Sequence, residues 1–384
     1  MKARTIWAVL LGLLAVSCGQ NPIFYIVSTE TAPRPPRIEG APTNMVVFNN
    51  IMYVASGRLH WYAQSSATGM PEWDADEYWI PQPDGKISAL AVAGNRLYAS
   101  SWDNASLQYI EAGAAAWKSI FSGAIQTIFA DPATKRLFAG VGNSSYDILY
   151  LADDDTLKTL KSGTSLLSGA VFKGGYYYLS TQGDGIYRVA EADLAIEKLN
   201  DDGAKELFMS MIKLPDNTII AVERNKGTLY KVERDDVEDT DYAPMNYTIV
   251  DNATPIGTDK YAMCALALWE DPLDSGRRLL IASIQGALYS TTTSSYTYGY
   301  VEFVLNPNGS LDTREVRRDP GSLISVSDND RYTTSLGKHP VNYLFQAPKN
   351  IDPHMTFFAS TQTAGLWSYR DRPDNGGDQW NAEE

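Results

Sequence analysis

The side chains of this 384-residue chain that could do chemistry are few and scattered. Its three histidines, His60, His339 and His354, fall in no HxxxH or HExxH spacing, and its two cysteines, Cys18 and Cys264, form no CxxC pair, so a zinc centre is not expected. No G-x-S-x-G elbow, phosphate loop or dinucleotide fingerprint occurs. Three acidic runs could gather oxygen ligands for Ca²⁺: residues 153–155, 235–241 and 328–330. None has the Asp-x-Asp/Asn-x-Asp/Asn-Gly order that wraps the ion, so solvated loops are the better reading. Cys264 lies in the apolar run Ala262-Met263-Cys264-Ala265-Leu266 and reads as core rather than nucleophile. The expectation is a protein that is not an enzyme, with no cofactor and no bound metal.

Recognition by amides, hydroxyls and aromatic faces is the chemistry that remains, and it depends on repeats. A pattern of a short apolar strand, a turn, a second apolar strand ending in small residues, and then Gly-aliphatic-aromatic recurs from near residues 44, 87, 125, 167, 208, 263 and 341. The third strands open as Gly57-Arg58-Leu59-His60, Gly185-Ile186-Tyr187, Gly227-Thr228-Leu229-Tyr230, Gly286-Ala287-Leu288-Tyr289 and Gly365-Leu366-Trp367. Ser106-Leu107-Gln108-Tyr109 and Asp147-Ile148-Leu149-Tyr150 keep the pattern without the glycine. Small residues let the backbone turn, and the glycine supplies positive φ. Fourth strands follow, as at Trp117–Phe121 and Tyr247–Val250. Four short antiparallel strands per unit of roughly 40 residues predict an all-β fold, a seven-bladed β-propeller of four-stranded antiparallel blades over residues 44–384. The long sixth interval is read as an extended outer hairpin, residues 300–305 and 311–316 around Asn306-Pro307-Asn308-Gly309, followed by a polar loop through Tyr332. Gln379-Trp380-Asn381 is expected to supply the last outer strand, with ring closure by an N-terminal strand, Phe24–Val27, as the competing option.

In such a ring the starts of the first strands meet at one mouth of the pore. Alignment places Asn44, Ser88, Gln126, Ser168, Met209, Cys264 and Asn342 at equivalent positions there, five of them polar. Second-to-third loops add Trp102, Asp103, Tyr146, Gln182, Asp184, Arg224, Gln285 and Gln362. Aromatic faces beside amides and carboxylates suit a sugar or a peptide, although a pore mouth is polar in any case because it meets water.

The first residues are an address. Lys2 and Arg4 precede an apolar stretch from Ile6 to Val16, too short for a transmembrane helix but suited to a secretory signal. Leu14-Ala15-Val16-Ser17-Cys18 resembles the bacterial lipobox, with Ala15 and Val16 departing mildly from the commonest residues. That resemblance implies cleavage of a signal peptide, residues 1–17, and acylation of Cys18. The sole remaining cysteine, Cys264, would then have no intrachain partner. Acyl chains on Cys18 imply a membrane anchor, and Pro33-Arg34-Pro35-Pro36 lies in a stiff tether spanning residues 18–43. Gly19 lacks the aspartate that marks inner-membrane retention in enterobacteria, which favours the periplasmic face of the outer membrane or the cell surface.

Thr363-Ala364-Gly365-Leu366-Trp367-Ser368-Tyr369 resembles repeats of extracellular sensor-type and other bacterial propellers. Pro22–Tyr25 and Ile38–Val46 resemble spirochaete-type exported propeller lipoproteins. These resemblances imply fold and location and no activity. The S-x-D-x-G-x-x-W boxes of sialidases are absent, as is the Trp-linked repeat of the eight-bladed outer-membrane assembly lipoprotein. A net charge of −14 with no Lys/Arg run argues against nucleic acid. The functional expectation is a non-catalytic envelope lipoprotein that binds a protein or glycan partner at the propeller mouth or acts as a scaffold. The alternatives are an envelope hydrolase or lyase with an acidic, metal-binding site in the pore, and a pure interaction module acting through the blade-six hairpin.

Overall fold

The computed structural model describes residues 38, 40–131, 136–199, 207–225, 227–232, 242–244, 249–251, 254–255, 260–272, 274, 276–289, 298–317, 336, 339–370 and 379–383. The residues expected to form the signal, Cys18, the residues expected to form the tether up to 37, Phe24–Val27, and the acidic runs 235–241 and 328–330 lie outside them. What is described is all-β apart from single turns of 3₁₀ helix, and it forms seven sheets, antiparallel but for one parallel pairing at the outer edge of the sixth. Their innermost strands are Met45–Phe48, Ile87–Ala93, Ile125–Asp131, Leu167–Lys173, Phe208–Lys213, Lys260–Glu270 and Val341–Gln346. The four strands of each blade then run outward in chain order, the sixth sheet carrying two short strands from earlier in the chain at its outer edge. This is the seven-bladed propeller the repeats predict.

Each blade buries both faces against its neighbours, and the apolar side chains sort accordingly into seven clusters, one per interface. Phe48, Leu59 and Trp61 of blade one meet Ile87, Leu90 and Leu97 of blade two. Val171, Tyr178 and Ile186 of blade four meet Phe208, Met211 and Tyr230 of blade five. The ring closes where Met45, Met52, Val54 and Trp73 of blade one pack on Ala347, Phe358 and Leu366 of blade seven. That seam also holds a buried hydrogen bond from the Tyr62 hydroxyl to the Asp352 carboxylate, 2.9 Å.

Blade seven takes its outermost strand from the C-terminal side, Gln379–Ala382, as expected. Just inside the seam, Leu366 N–H donates to the Ile38 carbonyl at 3.2 Å, Gly365 N–H donates to the Gly40 carbonyl at 3.2 Å, and Glu383 N–H donates to the Leu366 carbonyl at 2.8 Å. Trp73 of blade one donates its indole N–H to Glu383 at 2.7 Å, so both ends of the body take part in closure.

Blade six differs from its reading in the sequence. Its second strand runs unbroken through Arg278–Tyr289, so Gly286-Ala287-Leu288-Tyr289 continues that strand instead of opening a third. Gly57, Gly185, Gly227 and Gly365 do turn, with φ of 73°, 82°, 57° and 74°, and Gly286 is not among the positive-φ glycines. The third and fourth strands are Gly299–Leu305 and Leu311–Arg317, so the supposed outer hairpin is the blade itself, with Tyr300, Val301 and Phe303 fully buried. Residues 249–251, expected in blade five, pair instead in parallel with the fourth strand of blade six. Blade five ends on Tyr242–Pro244.

Candidate functional site

The innermost strands share a local irregularity that builds the site. In blade two Ile87 pairs with Ser101 and Ala89 with Ser100, so Ser88 is left over as a β-bulge. The same skip isolates Gln126, Ser168, Met209 and Asn342 in blades three, four, five and seven, and Cys264 with Ala265 in blade six. In blade one Asn44 precedes the strand, and its carbonyl accepts from Ala55 N–H at 3.5 Å. A bulge leaves its extra residue out of the ladder and re-aims the side chain. Here all seven residues line one central cavity of about 610 Å³. The structure therefore brings together the whole ring inferred from the repeats.

The bulges explain the small residues that end the second strands. Their part is to make room and to supply hydroxyls beneath the bulge, and the turn is a lesser reason. Ser100 lies 2.8 Å from the Ser88 hydroxyl and Ser180 lies 3.1 Å from that of Ser168. Ser283 accepts from Ala265 N–H at 2.9 Å, and Ser360 donates to the Pro42 carbonyl. These four serines are fully buried, and each hydroxyl has a polar partner: at Ser100 and Ser283 that partner is a backbone group beside the bulge.

Neighbouring inner strands are also stitched side chain to backbone around the cavity. The Asn44 amide donates to the Leu90 carbonyl at 2.7 Å and accepts from Leu90 N–H at 2.9 Å. Thr127 donates to the Leu167 carbonyl, Ser210 accepts from Leu266 N–H, and Tyr343 donates to the Met45 carbonyl. Gly169 has no side chain because Met211 of the next blade stands 3.2 Å from where its Cβ would lie. Asn44 is thus a staple between blades as much as a lining residue.

The loop residues divide by role. Asp103 accepts from Lys86 N–H at 2.7 Å, from the Ser101 hydroxyl at 2.8 Å and from Asn104 N–H at 2.9 Å, which holds its carboxyl below the usual range. Asp184 accepts from Ser165 N–H at 2.8 Å. Both carboxylates brace their own loops. Gln285 donates to Asn342 at 2.8 Å, joining loop to collar, and Gln126 reaches Asn143, whose carbonyl accepts from Tyr146. Trp102 is 59% exposed, with the Lys86 ammonium 5.4 Å above its ring. Gln182 and Arg224 use their backbone N–H groups to hold Leu166 and Leu207, and Gln362 uses its N–H to hold Pro340. Burial pushes the Cys264 thiol up to about 11, opposed by the positive charge of Arg224. Sequence reasoning missed Tyr343, Ser210 and Thr127, which line the same cavity. A hydroxyl just past the collar position in alternate repeats, the third, fifth and seventh, was the available signal.

The remaining chemical candidates are structural. His60 is buried, its Nδ1 is 2.9 Å from Asp74, and its Nε2 accepts from Arg58 at 3.2 Å. His339 stands beside Trp367, and His354 is exposed in a turn. Of the run 153–155, Asp153 pairs with Arg136, Asp154 with Thr156 and Lys158, and Asp155 with Arg96. Among the described residues no group of three His, Cys, Asp or Glu is placed to hold a metal. No helix there is long and apolar enough to cross a membrane.

The fold and the collar define a seven-bladed propeller with a bulge-lined channel, and comparison with solved structures agrees on the fold. The chain is similar to virginiamycin B lyase from Staphylococcus aureus, solved as an inactive variant with quinupristin: TM-score 0.54, 10% identity, 88% of this chain and 97% of that one. It is similar to YCF48 bound to D1 peptide, with TM-score 0.50, 11% identity, and coverage of 90% and 97%. It also resembles the extracellular domain of a putative hybrid two-component system from B. thetaiotaomicron, with TM-score 0.52 and 11% identity, where 85% of this chain spans 39% of that one. At such identities the likeness is one of fold alone. No family model matches the sequence, and no curated protein does.

Proposed function

We propose that the protein is an exported lipoprotein, anchored in the cell envelope through acyl chains on Cys18, whose channel mouth binds a protein or glycan partner without catalysis. One observation carries the binding reading: six of the inner strands break their ladder at the same place, and the ring so formed holds five residue types, Asn, Ser, Gln, Met and Cys. A bulge kept only for ring geometry needs no such variety, whereas a recognition surface does. The fold neighbours include a lyase solved with quinupristin and a protein solved with a peptide, so the frame serves both catalysis and capture. The lining tips the balance toward capture. Among the described residues that form the cavity wall none is Asp, Glu, His, Lys or Arg, so the wall itself offers hydrogen bonding and apolar contact.

The test has two arms. Cys18→Ala should abolish incorporation of radiolabelled palmitate and release the protein from the membrane fraction. Gln126→Ala with Asn342→Ala should abolish capture of a stoichiometric envelope protein or glycan, while Asp154→Asn on an outer turn retains it. Palmitate labelling of Cys18→Ala at the normal level would overturn the anchor. Capture that survives the collar variant would overturn the site.

A further inference from the structure

We infer that the seam between blades one and seven carries a second binding site, for an uncharged saccharide, at the end of the ring opposite the bulged collar. The collar sits where the inner strands begin. The seam cavity, about 500 Å³, is built where they end: on the first-to-second turns of blade one (Asn49, Asn50) and blade seven (Asn350), and on the end of the third strand of blade one (Gln64, Ser65). That volume lies within the ordinary range for small-ligand sites.

The chemistry of the walls selects the ligand. None of the eleven lining residues is charged, in a chain of net charge −14. The wall offers carboxamides and hydroxyls, which both donate and accept, as sugar hydroxyls require. Asn350 Nδ2 donates to Asn50 Oδ1 at 3.0 Å, which leaves the Asn350 carbonyl and the Asn50 amino group for a ligand. Tyr78, whose ring packs on the core between blades one and two, also lines the cavity, its hydroxyl tied to the Gln64 carbonyl at 2.8 Å. Next to lining residues in the chain stand two of the three exposed large apolar side chains among the described residues, Trp79 at 65% and Met70 at 54%. Aromatic faces beside paired amides are the combination that holds the two sides of a sugar ring.

The loop that frames the cavity is already fixed. Ser65 N–H donates to the Met70 carbonyl at 2.9 Å, Gly69 N–H to the Ser65 carbonyl at 2.8 Å, and the Gln64 amide to the Gly69 carbonyl at 2.9 Å. Glu77 accepts from Ser66 N–H at 2.6 Å, and Glu72 accepts from the Thr68 hydroxyl at 2.6 Å. Little ordering is left for a ligand to impose. The two glutamates behind the loop disfavour an acidic sugar.

Asn49 and Asn50 adopt left-handed φ of 51° and 60°, the two-residue hairpin turn in which glycine is equally at home. Asn50→Gly therefore removes the amide and keeps the turn. Calorimetric titration of the purified full chain with cellotetraose, chitotetraose and maltotetraose should show saturable binding of at least one, with none of tetragalacturonate. Asn50→Gly and Trp79→Ala should each weaken that binding about tenfold at an unchanged melting temperature, and Asn342→Ala on the collar should leave it intact. No binding by any of the three neutral probes would overturn the inference, as would full affinity in Asn50→Gly or loss of binding in Asn342→Ala.

Discussion

The Cys264 thiol on the collar and the Asp103 carboxylate on a second-to-third loop answer to opposite forces. Desolvation dominates at Cys264 and raises its pKa to about 11, the charge of Arg224 being the smaller effect. In a Cys18→Ser background, alkylation by iodoacetamide should therefore be slow at pH 8 and accelerate toward pH 11, whereas the unfolded chain reacts at the ordinary thiol range of about 8.5. Because the fold holds this proton more tightly than the unfolded chain does, the thiol's contribution to stability is complete below the ordinary value and is lost as pH rises through about 11. At Asp103 the donors decide: Lys86 N–H first, then the Ser101 hydroxyl, and the folded pKa is lowered. The bracing of that loop is present above the ordinary carboxylate pKa and is lost as pH falls through the depressed one. The difference fluorescence between the native chain and Trp102→Phe should report this acid transition, and Asp103→Ala should remove it.

Among the elements, the bulged inner strand does most to set the geometry of the cavity. Gly169 tests its tolerance: a methyl group there would meet the Ser180 hydroxyl at 2.7 Å and Met211 N at 3.2 Å, so Gly169→Ala should destabilise by about 1–3 kcal/mol in denaturant titration. The collar positions could be read from the sequence because a polar or soft residue follows an aliphatic or aromatic one at the start of successive repeats, as in Ile87-Ser88 and Val341-Asn342. The bulge itself could not, since register belongs to a pair of strands and not to either alone. Gly286-Ala287-Leu288-Tyr289 misled for a related reason. Its residue types match a third-strand opening, but the turn depends on positive φ, and the strand there continues straight. Asp103 and Asp184 were expected at the mouth, yet neither lines the collar cavity; their bonds to Lys86 N–H and Ser165 N–H could not be read, because those donors lie 17 and 19 positions away.

At the scale of the whole ring, stability is a closed circuit of seven interfaces, and the last is made by residues far apart in sequence. Trp380, on the outermost strand of blade seven, packs against Tyr300 of blade six and against Phe357 and Tyr369, and donates its indole N–H to the Tyr300 hydroxyl at 3.1 Å. Trp380→Ala should cost about 3–5 kcal/mol, read as a lowered midpoint of chemical unfolding. Leu366, which Ile38 and Glu383 both reach with a backbone hydrogen bond, has a consequence of a different kind. The two ends of the described body lie against the same residue, so a short linker from 383 to 38 would turn the chain into a covalent circle. That circle can be reopened at the Gly174-Gly175 hairpin, where both residues sit at positive φ and an added Cβ would meet nothing within 4 Å. A circular permutant starting at Gly175 should fold to the same ring, since every blade would keep its own four strands and only the numbering of the circle would change.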